Sequence, residues 1–343
     1  NRTIFSISFN HYQSNSEHGF KVVTISNNSF HGIYMRNTCN YMTLENNTII
    51  YNKDGINLFE GGSYSTYYNN VIKHNKMTAF SALYSNNLII SNNKLSDNDG
   101  AGIWLSSESD NNLIKDNTIK NNNVGIELKS GVSNTTIENN TITNSADSGF
   151  WCNDSCSYIY LWNNTIDNSD DWDIYFVSSA FKIHAINTDF ETINIDSASS
   201  LIIKEYFVLD INDASGDNMS GIDIKVMEND VQKYATSYFD GSDSKTDSSG
   251  TIATFLINSK KYDGSSTPTQ IPTYVSARYQ DWVETTSFDS SNTIQITVPD
   301  LRVQNTRTGI LTYHIQTSID WLSGYLDLMN LRVKFYSLIQ MKN

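Results

Sequence analysis

Charged side chains in the first half of the sequence are the residues that could carry acid–base chemistry. Carboxylates can hold a divalent cation, and a lysine beside that cation can abstract a proton next to a carboxyl group. The carboxylates and lysines in question are Asp97, Asp99, Asp147, Asp170, Asp171, Lys115, Lys120 and Lys129. They do not converge in one register of the repeat described below, so we interpret them as solvated turn residues and predict no catalytic residue.

Aromatic residues form the second candidate group. Trp104, Trp151 and Tyr175 fall in one outward-facing column of the repeat. Tyr160 and Trp162 lie on another face of the coil that contains Trp151. Flat rings on a rigid sheet can stack on the faces of sugar rings, while Asn and Asp neighbours bind hydroxyl groups. Two interpretations stay open: a platform that binds carbohydrate, or rings that pack beneath loops or against a neighbouring domain.

Residues that could bind a metal are sparse. Asp240, Asp243 and Asp247 could form a Ca²⁺ loop, but their spacing departs from the EF-hand pattern and favours an ordinary polar loop. Copper would require clustered His, Met or Cys side chains, whereas these residues are scattered among different columns of the repeat. We therefore predict no cofactor, with Ca²⁺ as the one alternative.

The charge balance excludes one class of partner. Across 343 residues the formal net charge is −14, without a stripe of Lys and Arg that could neutralise phosphates, so we predict no nucleic-acid partner. No apolar run approaches the roughly 18 residues that a membrane span needs.

The acidic composition and the Asn-x-Ser/Thr sequons predict an extracellular or cell-surface location. The sequons begin at Asn1, Asn27, Asn46, Asn134, Asn139, Asn153, Asn163 and Asn218.

The elements that would position these residues repeat along the first half of the chain. Pairs written NN or DN recur, and their second asparagines are Asn28, Asn47, Asn70, Asn93, Asn117, Asn140 and Asn164. The intervals between them are 19, 23, 23, 24, 23 and 24 residues. A small residue followed by an apolar one recurs in step, from Gly32 to Gly149. A period of about 23 residues predicts a solenoid in which each repeat forms one coil.

Apolar residues stand at fixed offsets from these two markers. The series that starts at Ile25 lies three residues before each asparagine, and the series that starts at Phe30 lies two residues after it. Two more series, starting at Ile33 and Met35, follow the small residues. The alternation within each strand predicts four columns of inward-facing side chains, which only stacking of the coils can bury.

With three short strands per coil and a turn asparagine, residues 20 to 190 resemble right-handed parallel β-helix repeat proteins of the NosD-type and pectin-lyase-like surface families. The resemblance implies an all-β fold in which the seven asparagines stack as a ladder. Each side-chain amide would then bond to the coils above and below it, and asparagine also tolerates the left-handed backbone of a tight bend.

The sequence changes character after the last coil. We predict a right-handed parallel β-helix over residues 1–190, a transition segment over 191–206 and a C-terminal β-sandwich over 207–298. The sandwich segment, with runs such as IDIKVM and IATFLI, resembles immunoglobulin-like or carboxypeptidase-regulatory-like modules. Residues 299–343 resemble a truncated or interrupted start of a further pectin-lyase-like domain.

Fold alone does not give function, because pectin-lyase-like folds include both enzymes and binding proteins. The triplet Asn-Thr-Asp at 187–189 and the pair Asp170-Asp171 stand in the wrong order for a polygalacturonase motif, and Gly-His-Gly does not occur. We therefore predict a non-catalytic extracellular scaffold or adhesin that binds polysaccharide or a cell-surface glycan. The alternatives are a polysaccharide lyase or glycoside hydrolase and, more distantly, a copper-handling accessory protein. The sequence makes no prediction of the oligomeric state.

Overall fold

The computed structural model describes residues 2–4, 7–9, 18–21, 23–37, 39–288, 293–299, 303–305 and 311–313. The chain divides into two compact units. Unit 1 comprises Asn1–Tyr206 and Leu256–Thr273, and unit 2 comprises Phe207–Phe255 and Tyr274–Asn343. Within the described residues, no helix is long and apolar enough to cross a membrane.

Unit 1 is a parallel β-helix, which confirms the predicted all-β solenoid. Its three sheets, here called A, B and C, take one strand each from the eight successive coils that span β1 to β24. From β4 to β24, paired residues in adjacent coils are 23 or 24 positions apart, as Ile103 and Ile126 or Ile126 and Phe150 show.

The strands are grouped by sheet in stacking order. Sheet A contains β1 (Arg2–Ile4), β4 (Val23–Ser26), β7 (Thr48–Ile50), β10 (Val71–Lys73), β13 (Lys94–Ser96), β16 (Thr118–Lys120), β19 (Thr141–Thr143) and β22 (Thr165–Asp167). Sheet B contains β2 (Ile7–Phe9), β5 (Ile33–Arg36), β8 (Ile56–Phe59), β11 (Phe80–Leu83), β14 (Ala101–Ser106), β17 (Val124–Lys129), β20 (Ser148–Asn153), β23 (Trp172–Val177) and β25 (Ile193–Ile195). Sheet C contains β3 (His18–Lys21), β6 (Met42–Glu45), β9 (Thr66–Tyr68), β12 (Ile89–Ser91), β15 (Leu113–Lys115), β18 (Thr136–Glu138), β21 (Ser157–Trp162), β24 (Phe181–Ile186), β26 (Ser200–Phe207), β30 (Phe255–Asp263) and β31 (Thr269–Gln270).

The corner between sheets C and A explains the paired asparagines. The first asparagine of a pair adopts a left-handed backbone, with φ of 59° at Asn46, 52° at Asn69 and 55° at Asn139. Asparagine enters this conformation at lower cost than most residues. The second asparagine of the pair, such as Asn70 or Asn140, is buried. The repeated letters therefore encode a sharp turn followed by a buried amide.

The core of unit 1 consists of aligned side chains from successive coils. The four predicted columns are confirmed from Ile33, Met35, Leu44 and Ile49 onward. In sheet A, Ile49 pairs with Ile72 and Ile72 with Leu95. In sheet C, Leu44 pairs with Tyr67 and so continues a second column. The columns are buried along their length, so each coil depends on its neighbours for removal of its apolar surface from water.

The predicted alignment of Ile25 and Phe30 is wrong. Ile25 pairs with Ile49 in sheet A rather than with Leu44, and Phe30 is 72% exposed. The backbone N–H of Val23 donates to Asn47 Oδ1, so Val23 takes the place assigned to Asn28. Asparagine suits the left-handed backbone of more than one corner, and an NN pair therefore does not identify which corner it occupies.

The end of the β-helix differs from the predicted boundaries. Residues 191–206, predicted as a transition segment, contain β25, which extends sheet B, and β26, which extends sheet C. Residues 256–273, predicted within the sandwich, belong to unit 1, where β30 joins β26 and β31 pairs antiparallel with β30. An alternation of apolar and polar residues predicts a strand, but it does not show which sheet edge that strand joins. Here the added strands cover an edge that would otherwise expose unpaired backbone groups.

Unit 2 is also built from β-sheets. β27 (Leu209–Asp213) pairs parallel with β34 (Ile294–Val298). A four-stranded sheet has the order β29 (Val231–Ala235), β28 (Asp223–Glu228), β32 (Thr273–Tyr279) and β33 (Trp282–Phe288). One 3-10 turn spans Ser237–Phe239. In the predicted third segment, 299–343, β35 (Val303–Asn305) pairs antiparallel with β36 (Leu311–Tyr313), and nearly all of the rest lies outside the described residues.

Candidate functional site

The candidate surface lies on the outer face of sheet B. Trp104 pairs with Glu127, Glu127 with Trp151 and Trp151 with Tyr175 in the parallel register of β14, β17, β20 and β23. We call these four residues the tryptophan column. Their side chains are half-buried, and each neighbour is displaced by one strand spacing of about 4.8 Å. The β-helix thereby holds three rings and a carboxylate in one row.

The rings in this row are held by strands and by each other. The ring centroids of Trp151 and Tyr175 lie 5.6 Å apart, with an angle of 32° between their planes. Each aromatic side chain follows an inward-facing core residue, because Ile103, Phe150 and Ile174 are fully buried one position earlier. Rings anchored in this way lose little conformational freedom when a ligand binds.

Glu127 is the charged member of the tryptophan column. Burial raises the pKa of its carboxyl group above the usual range; Lys129 opposes this shift, and Asp147 adds to it. The carboxylate makes no hydrogen bond or ion pair with any part of the chain that the structure describes. A half-buried carboxylate without a partner is costly, because the charged form loses hydration without compensation.

The indole nitrogen of Trp151 is a second polar atom without a partner. Its Nε1 atom is buried and donates to no acceptor among the described residues. Buried polar atoms usually find a hydrogen bond, so this row contains two polar groups, the Trp151 indole N–H and the Glu127 carboxylate, that the fold itself leaves unsatisfied.

Two of the predicted stacking residues lie elsewhere. Tyr160 and Trp162 belong to β21 in sheet C. Tyr160 stacks on His184, with centroids 5.3 Å apart and an angle of 25°. Burial and the charge of Lys204 lower the pKa of His184 to about 4, so this ring is neutral at neutral pH. The five predicted stacking residues therefore occupy two sheets, with Trp104, Trp151 and Tyr175 on sheet B and Tyr160 and Trp162 on sheet C.

Buried asparagines stack along the corner that precedes sheet A. Asn47, Asn70, Asn93 and Asn117 each donate from the backbone N–H and from Nδ2 to the Oδ1 atom of the asparagine in the next coil. Asn140 does the same to Asn164. Six of the seven asparagines predicted as a ladder are joined in this series.

A second stack was not predicted from the sequence. Asn52, Asn75 and Asn98 each donate from the backbone N–H and from Nδ2 to Oδ1 of the next member, and the last acceptor is Asn122. Asn28 donates to Asn52 and so belongs to this stack rather than to the predicted one. The signal was present in the sequence, since each member from Asn52 onward follows an asparagine of the first stack by five residues.

Three of the other acidic candidates are engaged in local hydrogen bonds. Asp243 accepts a hydrogen bond from the Ala235 N–H, and Asp247 accepts from the N–H groups of Ser249 and Thr251. Asp97 accepts from Asn121, and this bond lowers the pKa of Asp97. In the described part of the chain, no group of three or more His, Cys, Asp or Glu side chains is arranged to hold a metal. The hydrogen bonds of Asp97, Asp243 and Asp247 are of the kind that stabilises turns.

Exposed tyrosines are a further feature that the sequence did not reveal. Tyr41, Tyr51, Tyr64, Tyr84 and Tyr158 all have φ between 53° and 58°, and all are exposed. Tyr41 stacks on Tyr64, with ring centroids 5.2 Å apart. A bulky side chain is uncommon in this backbone region, which asparagine occupies at many other corners of the β-helix.

Comparison with known proteins supports the fold. Residues 10–169 match the family model described as a right handed beta helix region. No curated protein matches the chain.

Several solved structures are similar to this chain. The A-module of the Azotobacter vinelandii mannuronan C-5 epimerase AlgE6 is 18% identical with a TM-score of 0.45, and the match covers 53% of this chain and 52% of that module. The Dettilon tailspike protein is 11% identical with a TM-score of 0.37, and the match covers 80% of this chain and 70% of the tailspike chain. PfbA, a surface adhesin of Streptococcus pneumoniae, is 12% identical with a TM-score of 0.35, and the match covers 64% of this chain and 69% of the adhesin chain. The match spans about half the length of the epimerase module, and these low scores carry no information on function.

Proposed function

We propose that the protein is a non-catalytic extracellular scaffold or adhesin that binds polysaccharide through the tryptophan column. The observation that carries this proposal is the row of Trp104, Glu127, Trp151 and Tyr175 in register on sheet B. Rings spaced by the coil repeat offer successive stacking positions, and the unpaired Glu127 carboxylate offers a hydrogen-bond acceptor for hydroxyl groups.

Two features support binding rather than catalysis. The neighbours of Glu127 in the row are aromatic, which suits contact with a sugar face more than proton transfer at a bond between sugars. Asp97 and Asp247, two of the other acidic candidates, are engaged in local hydrogen bonds. An extracellular location agrees with the acidic net charge of −14 and the sequons.

The test is a binding and turnover experiment with the purified chain. The protein is incubated with neutral, amino-bearing and acidic polysaccharides, with and without Ca²⁺, while bound protein and released reducing ends or unsaturated products are both measured. The proposal expects binding without products, weakened about tenfold or more by Trp151→Ala. Tyr68→Ala, which removes an exposed ring from sheet C, serves as the matched control. Absence of binding to every polymer would overturn the proposal.

A polysaccharide lyase or hydrolase is the second candidate, and one observation favours it. The pKa of Glu127 is raised, as that of a general acid must be. Asp147 is the acidic residue whose charge acts on Glu127. In this case the same incubation would release products, and Glu127→Gln would abolish the release while leaving binding largely intact.

Finer assignments of the fold are also proposals. We propose that unit 2 is an immunoglobulin-like module, supported by its separate paired and four-stranded sheets and by the buried Ile211, Ile224, Val226 and Val275. The NosD-type resemblance of unit 1 rests on the repeat alone. A copper-handling role has no support in the described residues, because Met35 and Cys152 are buried in the core and His74 stacks on Tyr51.

A further inference from the structure

Glu127 lies within reach of the substituents of a sugar bound at the tryptophan column. Trp104 flanks it in the coil below and Trp151 in the coil above. A sugar ring stacked on either indole would bring its substituents within about one strand spacing, about 4.8 Å, of the carboxylate. Because no described protein group bonds this carboxylate, its charge is available to attract or repel the ligand.

The charges around the tryptophan column are more acidic than basic. Lys129 lies two residues further along β17 and acts on Glu127, while Asp147 acts on it with the same sign as its own charge. Residues in the same outward column below Trp104 are uncharged, namely Ser81, Asn57 and Tyr34.

A ligand carboxylate or sulfate at this row would face two acidic groups and one basic group. Repulsion between like charges is stronger beside half-buried groups than in bulk water, because there is less solvent to screen it. Hydroxyl groups meet no such penalty, and an ammonium group would provide the half-buried carboxylate with the positive partner that it lacks.

Resting on the proposed polysaccharide binding, we infer that Glu127 is a specificity-determining residue that makes the tryptophan column accept uncharged and amino-bearing polysaccharides and reject uronates and sulfated polymers. The rings supply affinity for any sugar face. The Glu127 carboxylate between them determines which charges on the bound polysaccharide are compatible with binding. Removing the charge while keeping the shape of the side chain separates these two contributions.

The test compares the wild-type chain with Glu127→Gln at neutral pH and low salt. The probes are the best-bound neutral polymer of a panel of mannan, xylan and β-glucan, chitosan oligosaccharides, and polygalacturonate. We expect the wild type to bind polygalacturonate about tenfold or more weakly than the neutral polymer. Glu127→Gln should bring polygalacturonate to within about threefold of the neutral polymer and weaken chitosan binding about fivefold. Asp171→Asn, which removes an exposed charge one coil beyond Asp147, should leave the ranking of the polymers unchanged.

Two results separate this inference from the function on which it rests. Binding of polygalacturonate by the wild type as tight as that of the neutral polymer, or an unchanged ranking in Glu127→Gln, would overturn the selectivity while leaving polysaccharide binding in place. Failure of both proteins to bind any of the polymers would overturn the proposed function together with the inference.

Discussion

Asn117 donates from both its backbone N–H and its side-chain Nδ2 to the same oxygen of Asn140, at 3.0 Å in each case. Asn117 Nδ2 also donates to the carbonyl of Ile90, 2.8 Å away. Its own Oδ1 accepts two bonds from Asn93. One buried side chain therefore joins its own coil to the coils on both sides.

Asn117→Ala should destabilise the β-helix by about 2–4 kcal/mol, because it leaves buried backbone and amide groups of Asn93 and Ile90 without partners. Chemical unfolding followed by circular dichroism measures this loss. Asn123→Ala is the matched control from the same coil, since Asn123 is exposed and its side chain makes no hydrogen bond in the described structure. Its effect should stay within about 0.5 kcal/mol. Equal losses for the two variants would contradict a stabilising role for the stacked amides.

The small residues at or just before the start of the sheet B strands give a second stability prediction. A Cβ atom at Gly125 would lie 2.3 Å from the carbonyl oxygen of Gly149 and 2.3 Å from Cγ2 of Ile142. Gly125→Ala should therefore cost about 1–3 kcal/mol in unfolding free energy through overpacking. Ala79 already occupies the equivalent position of an earlier coil, and Ala79→Gly should cost only about 1 kcal/mol through chain entropy. An unchanged unfolding midpoint in Gly125→Ala would show that the coils can move apart without loss.

Glu127 should make the protein less stable at neutral pH. Its pKa is raised in the folded state, so folding is favoured when the carboxyl is protonated, and this contribution is lost as pH rises through the folded pKa. Glu127→Gln should raise Tm at pH 7 by about 1–3 °C, and the gain should vanish near pH 4. Differential scanning calorimetry at both pH values measures this difference. Glu138→Gln, on sheet C, is the control, and a gain for Glu127→Gln that does not depend on pH would contradict the electrostatic cause.

His184 should contribute the opposite pH dependence. The folded protein keeps this ring neutral down to its pKa of about 4, whereas the unfolded chain takes up a proton near the usual value of about 6.5. Stability is therefore lost as pH falls between those two values. Between pH 7 and pH 4, the wild-type Tm should fall about 2–4 °C further than that of His184→Phe, which keeps a ring against Tyr160. Parallel Tm profiles for the two proteins would rule out His184 as the source.

The repeat made most of unit 1 predictable. Translation by one coil places residues 23 or 24 apart on the same face, so the partners of Ile126 and Trp151 follow from counting. The repeat period predicts the wrong position where one residue type fits several structural positions. The repeat places Asn28 in the wrong stack because asparagine fits more than one corner. The alternation at Phe255–Asp263 predicts a sandwich strand because it does not reveal which sheet edge the strand joins.

The candidate site was predictable in position but not in chemistry. The order Trp104, Glu127, Trp151 and Tyr175 can be obtained from the repeat, whereas the raised pKa of Glu127 depends on burial by side chains from adjacent coils. Likewise, the grouping of Tyr160 with His184 depends on strand register late in the β-helix, where the asparagine marker has ended. Electrostatic environment is a property of the packed coils rather than of any one segment.

The most direct test of the account is the dissociation constant of the best-bound polysaccharide for the wild type, Trp104→Ala, Trp151→Ala and the double variant, measured by titration calorimetry. Circular dichroism would establish that each variant is folded. We predict that each single change weakens binding about tenfold and that the double change abolishes measurable binding, while Tyr68→Ala stays within about twofold of wild type. Undiminished affinity in a folded double variant would contradict the tryptophan column as the binding surface.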